Sequence, residues 1–306
     1  MNHAENSFLP SECPLAVRVA FDPVSVLQQY TQITLDPWQK ELANPFKYED
    51  TFVLSGRQCG KSTGAIYAAL SWALSHADNL ILIISITQRQ SSHILKELRK
   101  NLLKLPYTAR PGIIKDTVTQ LELANGTQIL ALPSGAVQGG AGIRGLSPDF
   151  LILDECARIP DQTYYDVISP MVSVTRGRKV FLTTPGSQYG WAWTTYTEGL
   201  MKIVQVKAKE CPRISAKFLE SEKKKLPKAS YKREYENVWT SVNAGIFDVD
   251  AIDNAFRDMP DNPMRQFIEK RAEKIKEIST ALKDVGTVID LKKTFDNQDS
   301  GKMWYK

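Results

Sequence analysis

The chain has 306 residues, is 42% hydrophobic and sets 39 Lys/Arg against 34 Asp/Glu, for a formal net charge of +5. That length suits one large domain, or one domain with appendages. Mean hydropathy is −0.28, and the longest apolar run, Leu80-Ile81-Leu82-Ile83-Ile84, is strand-sized, which argues against a membrane-spanning helix. The four cysteines, Cys13, Cys59, Cys156 and Cys211, lie far apart, and only three histidines accompany them. Neither a zinc site nor a disulfide framework is expected, and a reducing cytosol fits best. No basic start precedes an apolar stretch, so no signal peptide is expected.

Residues from Met1 to about Leu27 carry scattered Pro without a clear period and read as a loosely structured arm. From Leu35 the pattern alternates between strand and helix. Thr51-Phe52-Val53-Leu54 is a short apolar strand, followed by Gly56-Arg57-Gln58-Cys59-Gly60-Lys61-Ser62 and an Ala-rich helix to about Ser75. Asn79 to Ile86 is a second buried strand. Gln90 to Leu103 reads as a helix, with Ile94, Leu95, Leu98 and Leu102 along one face. Gln120–Leu123 and Gln128–Leu132 flank Asn125-Gly126, a dipeptide that tolerates positive φ, and read as a hairpin. Phe150–Leu153 and Lys179–Thr184 are two further apolar strands. Buried strands alternating with helices predict a mostly parallel sheet covered on both faces.

After Val206 the chain turns charged and helical. Between Met201 and Thr240, 11 Lys/Arg stand against 5 Asp/Glu, a local excess of six. This is either a solvated helical face or a surface for a phosphate backbone, with Lys223, Lys224 and Lys225 the densest cationic run. Asn262-Pro263 suits a helix start, and Ile268, Ala272, Ile275, Ile278 and Leu282 mark one apolar stripe. The expected division is an arm (1–34), a core (35–206), a basic helical subdomain (207–256) and a charged helical tail (257–306).

The strongest chemical signal is Ser55-Gly56-Arg57-Gln58-Cys59-Gly60-Lys61-Ser62-Thr63 between a strand and a helix. Successive backbone N–H groups of such a loop, together with the positive helix end, cradle phosphates. Lys61 brings a point charge to the β- and γ-phosphates, and Ser62 offers a hydroxyl to Mg²⁺. Ser55 stands where the usual pattern has its first Gly. The second signal is Leu151-Ile152-Leu153-Asp154-Glu155, an apolar strand closed by two acids at the edge where α/β sheets bind ligands. Asp154 is the expected metal ligand. Glu155 is the expected general base toward the attacking water.

Other candidates are less specific. Thr183, Thr184 and Pro185 end the next strand and read either as a sensor of the γ-phosphate or as an ordinary strand-to-turn transition. Arg57, inside the loop, has reach to a phosphate or to a neighbouring carboxylate. Arg144 lies in the glycine-rich run Gly139–Gly145 and is either a surface residue or a finger offered to a neighbouring subunit's nucleotide. In Leu35-Asp36-Pro37-Trp38-Gln39, Gln39 either offers its amide to an adenine edge or is solvated while Trp38 packs in the core.

Together these residues resemble the ATPase part of the tailed-phage terminase large subunit. The resemblance covers roughly residues 35–253. It rests on the Arg-Gln-x-Gly-Lys-Ser form of the loop at Arg57–Ser62, on Ile143-Arg144-Gly145 ahead of Leu153-Asp154-Glu155, on Thr183-Thr184-Pro185, and on Gly245-Ile246-Phe247-Asp248. It implies a P-loop NTPase of the additional-strand type, with an extra strand between those bearing the two ATP motifs, plus a helical C-terminal appendage. It also implies Mg²⁺-dependent ATP hydrolysis coupled to translocation of double-stranded DNA, a ring-like homo-oligomer, the portal protein and terminase small subunit as partners, and the cytoplasm of an infected bacterium as location. Family members continue into a nuclease that needs several acids for two metals. Val288-Ile289-Asp290-Leu291 faintly resembles its first acidic strand but supplies one carboxylate, so nuclease activity is not expected of this chain. A helicase-like DNA-dependent ATPase and a non-hydrolysing packaging adaptor are the competing classes. The first would need a second lobe, and the second has no use for Glu155.

Overall fold

The computed structural model describes residues 13–138 and 145–240. Eight strands among them form one sheet in the order β3-β4-β5-β2-β6-β7-β1-β8. Their ranges are β1 Thr51–Ser55, β2 Leu80–Ser85, β3 Ile113–Asp116, β4 Gln120–Leu123, β5 Gln128–Pro133, β6 Phe150–Asp154, β7 Arg178–Thr183 and β8 Lys202–Val206. The strands from β5 to β8 pair parallel, while β3 and β4 pair antiparallel at one edge.

Side-chain alternation along the strands explains two cores. On β1, Val53 points to one face and Phe52 and Leu54 to the other, and all three are fully buried. The first face meets helices α1 (Leu15–Phe21), α2 (Pro23–Thr31), α3 (Pro37–Ala43), α4 (Lys61–Ser75) and α5 (Gln88–Leu102). The second meets Ile159, Ile168, Met171 and Trp191, the last at the start of α6 (Trp191–Thr197). Strands buried on both faces carry no polar alternation, as the continuous apolar runs of β2 and β6 require. A third, smaller cluster joins Cys59, Val206, Ala208 and Cys211 to Tyr231 and Tyr235. Helices α7 (Ala216–Lys225) and α8 (Lys228–Glu236) follow that turn, and α8 carries the two tyrosines.

The predicted strands, the loop-to-helix transition at Lys61 and the hairpin at Asn125-Gly126 form as read, with Gly126 at φ +81°. β7 lies between β1 and β6, which is the extra strand between the two motif-bearing strands. One reading needs correction. The N-terminal segment is not loosely structured from Leu15 onward, because α1 and α2 bury Val19, Val26 and Leu27 against α4. Asp22 caps α2 by accepting from Ser25 N, and Pro23 occupies its first turn, so a proline counted as a breaker is a helix starter. The segment 202–206, inside the expected core but given no element there, is edge strand β8, paired along its length with β1. The short edge strand β3 is a further element that the sequence pattern does not announce. The predicted helix from Asn262 and the segments Gly245–Asp248 and Val288–Leu291 lie outside the described residues.

Candidate functional site

β1, β7 and β6 all end at the same sheet edge, and parallel pairing sets Asp154 opposite Leu182 and Leu54 opposite Thr183. The loop after β1, the acids after β6 and the threonines after β7 are therefore neighbours without any one of them being close in sequence. This is the edge where open α/β sheets bind ligands.

The loop wraps over the end of β1 into the N-terminus of α4. Gly60 caps the helix at φ +90°, and Gln58 takes φ +59°, a left-handed conformation that a non-glycine residue adopts at a cost. Gly56 passes within close range of other backbone. A Cβ there would lie 3.2 Å from Glu234 O and 3.3 Å from Ala208 N. The glycine the loop needs is thus Gly56, and the usual leading position tolerates Ser55, which is fully buried and extends β1.

Lys61 is only 9% exposed and donates to the carbonyls of Ser55 at 3.3 Å and Gly56 at 3.4 Å. Burial pulls its ammonium below the ordinary lysine range, against the pull of Glu155 and Asp154. Asp154 is 6% exposed, and burial followed by the neighbouring Glu155 pushes its carboxyl up to about 6, opposed by Lys61. Ser62 is exposed beside Lys61 at the helix start. Glu155 takes φ +55°, so the chain turns sharply after β6 and leaves this side chain partly exposed. Thr184 Oγ1 donates to Glu155 Oε2 at 3.3 Å. Thr183 Oγ1 donates to Thr184 O at 2.7 Å and accepts from Ala157 N at 3.3 Å, tying the ends of β6 and β7 together. Pro185 follows, buried.

Among the described residues no three His, Cys, Asp or Glu gather into a metal cage. A magnesium ion needs none: it is held by one or two carboxylates together with substrate phosphates and water. The buried carboxylate of Asp154 and the Ser62 hydroxyl are hard oxygen donors that suit it.

Gln39 is 1% exposed, and both ends of its amide are engaged: Oε1 accepts from Asp36 N at 2.9 Å and Nε2 donates to Gly60 O at 2.8 Å. The amide is therefore buried rather than solvated, and it ties Asp36 to the Gly60 carbonyl of the loop. Arg57 meets a carboxylate, one of the two partners expected for it, with Nε 3.0 Å from Glu234 Oε2, while its backbone N–H donates to Glu234 O at 2.8 Å. Arg144 lies outside the described residues. Lys223, Lys224 and Lys225 are exposed at the end of α7, a helix with no buried residue, and do not join the site.

The structure adds residues that had no local sequence signal. Glu234 and Asn237 come from the end of α8. Asn237 Nδ2 donates to Leu54 O at 3.1 Å and Gly56 N donates to Val206 O at 3.0 Å. Arg213 contacts Asp36 and Cys59 O. Beyond α8, Thr240 N and Oγ1 both donate to Gly186 O at 3.0 Å, so the threonine loop after β7 is fastened to the chain that follows α8.

A sheet with an extra strand between a phosphate loop and an acidic pair defines a P-loop NTPase fold of the additional-strand class. The family described as terminase large subunit, T4likevirus-type, N-terminal, matches residues 52–254, and the chain belongs to that family. It is a bacteriophage DNA-packaging motor protein. Among solved structures, the large terminase ATPase domain of Thermus phage P74-26 is similar in fold, with a TM-score of 0.60, 16% identity, and coverage of 70% of this chain and 97% of that one. The large terminase of a thermophilic bacteriophage in complex with ADP gives 0.54, 14%, 71% and 57%. The same protein in complex with ATP-gamma-S gives 0.53, 14%, 68% and 53%. The match thus spans just over half the length of that full-length terminase. No helix among the described residues is long and apolar enough to cross a membrane.

The raised pKa of Asp154 has a consequence for stability. The folded protein holds this proton more tightly than the unfolded chain does. Its contribution is therefore fully present below the ordinary value of 3.8 and is lost as pH rises through about 6. Asp154→Asn should melt about 2–6 °C higher than the parent at pH 8 without nucleotide, and the gap should narrow toward pH 5. A lower melting temperature for Asp154→Asn at pH 8 would contradict the burial cost assigned to this carboxylate.

Proposed function

We propose that the chain hydrolyses ATP with Mg²⁺ and couples the reaction to translocation of double-stranded DNA. The observation that carries this reading is the convergence of Lys61, Asp154 and Glu155 on one sheet edge, with Thr184 hydrogen-bonded to Glu155. A protein that merely held nucleotide would have no need of a carboxylate kept beside the phosphate-binding lysine.

The loop amides of residues 56–63 and the Lys61 ammonium bind and orient the phosphates. Ser62 and Asp154 would hold Mg²⁺, which when bound would neutralise phosphate charge. Glu155 accepts the proton of the attacking water as general base. Thr184 holds the Glu155 carboxylate and so links the base to the loop that Thr240 fastens. Arg57 is occupied by Glu234, which leaves Arg144 as the arginine offered across a subunit boundary in a ring. The exposed lysines of α7 contact the DNA backbone, because lysine suits phosphate rather than base edges. α7 packs on α8, which is bonded to the phosphate loop, so nucleotide state and DNA contact share one body. The portal protein and the small terminase subunit are the partners this role calls for, in the cytoplasm of an infected bacterium.

Glu155→Gln should retain Mg²⁺–ATP binding and lower steady-state phosphate release by about 10²–10⁴-fold, since the amide fits but takes no proton. Release at the parent rate would remove Glu155 from the role of base. For DNA, replacing Lys223, Lys224 and Lys225 together by Gln should weaken binding at low salt. It should also flatten the dependence of log affinity on log salt by up to about three phosphate contacts' worth. An unchanged slope would leave these lysines as a solvated face.

A further inference from the structure

A phosphate loop works only if its amide hydrogens face the ligand. Because each peptide is planar, turning an N–H inward turns the carbonyl of the preceding residue outward, where it needs a donor of its own. In this chain the two outward carbonyls that precede Gly60 N and Lys61 N are both gripped by side chains. Arg213 Nη2 donates to Cys59 O at 3.1 Å, and Gln39 Nε2 donates to Gly60 O at 2.8 Å. The two grips meet at Asp36. Its carboxylate takes the Arg213 fork at 2.9 and 2.7 Å, and its backbone N–H donates to Gln39 Oε1. The space between is full. A Cβ on Gly60 would lie 2.5 Å from Gln39 Nε2 and 3.1 Å from Arg213 Nη2.

We propose that Arg213 is a positioning residue for nucleotide binding: held flat by Asp36, it fixes the Cys59–Gly60 peptide so that the Gly60 amide faces the phosphates before ligand arrives, as Gln39 does for the Lys61 amide. The inference rests on the reading of this loop as the nucleotide site. Lysine cannot reproduce the role, because a point charge does not engage Asp36 through two parallel bonds while also reaching a carbonyl. The Arg213 side chain is 47% exposed, and an exposed ion pair adds little to folding. Its loss should therefore register in ligand affinity rather than in the stability of the empty protein.

The test uses the full chain, a fluorescent ATP analogue with Mg²⁺, and melting curves without nucleotide. Arg213→Ala should weaken binding about tenfold, the size of one lost charge-assisted hydrogen bond, while its nucleotide-free melting temperature stays near that of the parent. Arg213→Lys should fall between the two in affinity. Parent-like affinity of Arg213→Ala would overturn the proposal. So would a loss of affinity matched by a large fall in the nucleotide-free melting temperature, which would mark Arg213 as structural. Lys61→Ala serves as the control. If it alone abolishes binding, the site reading stands and only the positioning role fails. If it binds as the parent does, both fail.

Discussion

The arrangement depends on charges withdrawn from water at the end of a parallel sheet. Lys61 and Asp154 are each less than a tenth exposed, and burial shifts the balance of each toward its neutral form. Mutual attraction does not cancel that cost: the lysine stays shifted down and the aspartate up. A buried charge that its neighbours do not satisfy is expensive. Such a cost is sensible where a ligand brings the missing charge: phosphates for the lysine, a divalent cation for the aspartate. The left-handed turns at Gln58 and Glu155 fall in the phosphate loop and directly after the acidic strand, where backbone strain gathers at functional sites.

The loop that presents these charges is held from several directions. Helix α8 contributes the Glu234 carbonyl to Arg57 N and the Asn237 amide to Leu54 O, and β8 contributes the Val206 carbonyl to Gly56 N. The threonine loop after β7 is fastened in turn to Thr240, two residues beyond Val238 on the same trailing segment. Residues 206–240 therefore touch the phosphate loop at one end and the Thr184 loop at the other. A change at the nucleotide that shifts either loop must be accommodated by α8, and α7 with its exposed lysines packs on α8. Packed elements with two arrangements are how small shifts at a site become larger motions.

Much of this is legible in the sequence. Apolar runs ending in Gly-Lys-Ser, in Asp154-Glu155 and in Thr183-Thr184 announce three buried strands with chemistry at one end, because a strand buried on both faces places its polar residues at its tips. What stays hidden is of two kinds. Pro23 reads as a breaker unless its partner signal, the Asp22 cap, is weighed with it. The contacts of Arg213, Glu234 and Asn237 lie well over a hundred residues from the loop they hold. Nothing in a basic run distinguishes an arginine bonded to a carbonyl from one in solvent. The same holds for Gln39, whose buried amide and a solvated one have identical local sequence.

The claim that the buried lysine is kept for a ligand rather than for the fold is tested most directly by removing its charge and keeping its stem. Melting of Lys61→Met should be compared with the parent, without ligand and with Mg²⁺–ATP-gamma-S. The account predicts a higher melting temperature than the parent without ligand and no rise on adding nucleotide, while the parent rises. A less stable ligand-free Lys61→Met chain that still gains stability from nucleotide would contradict it.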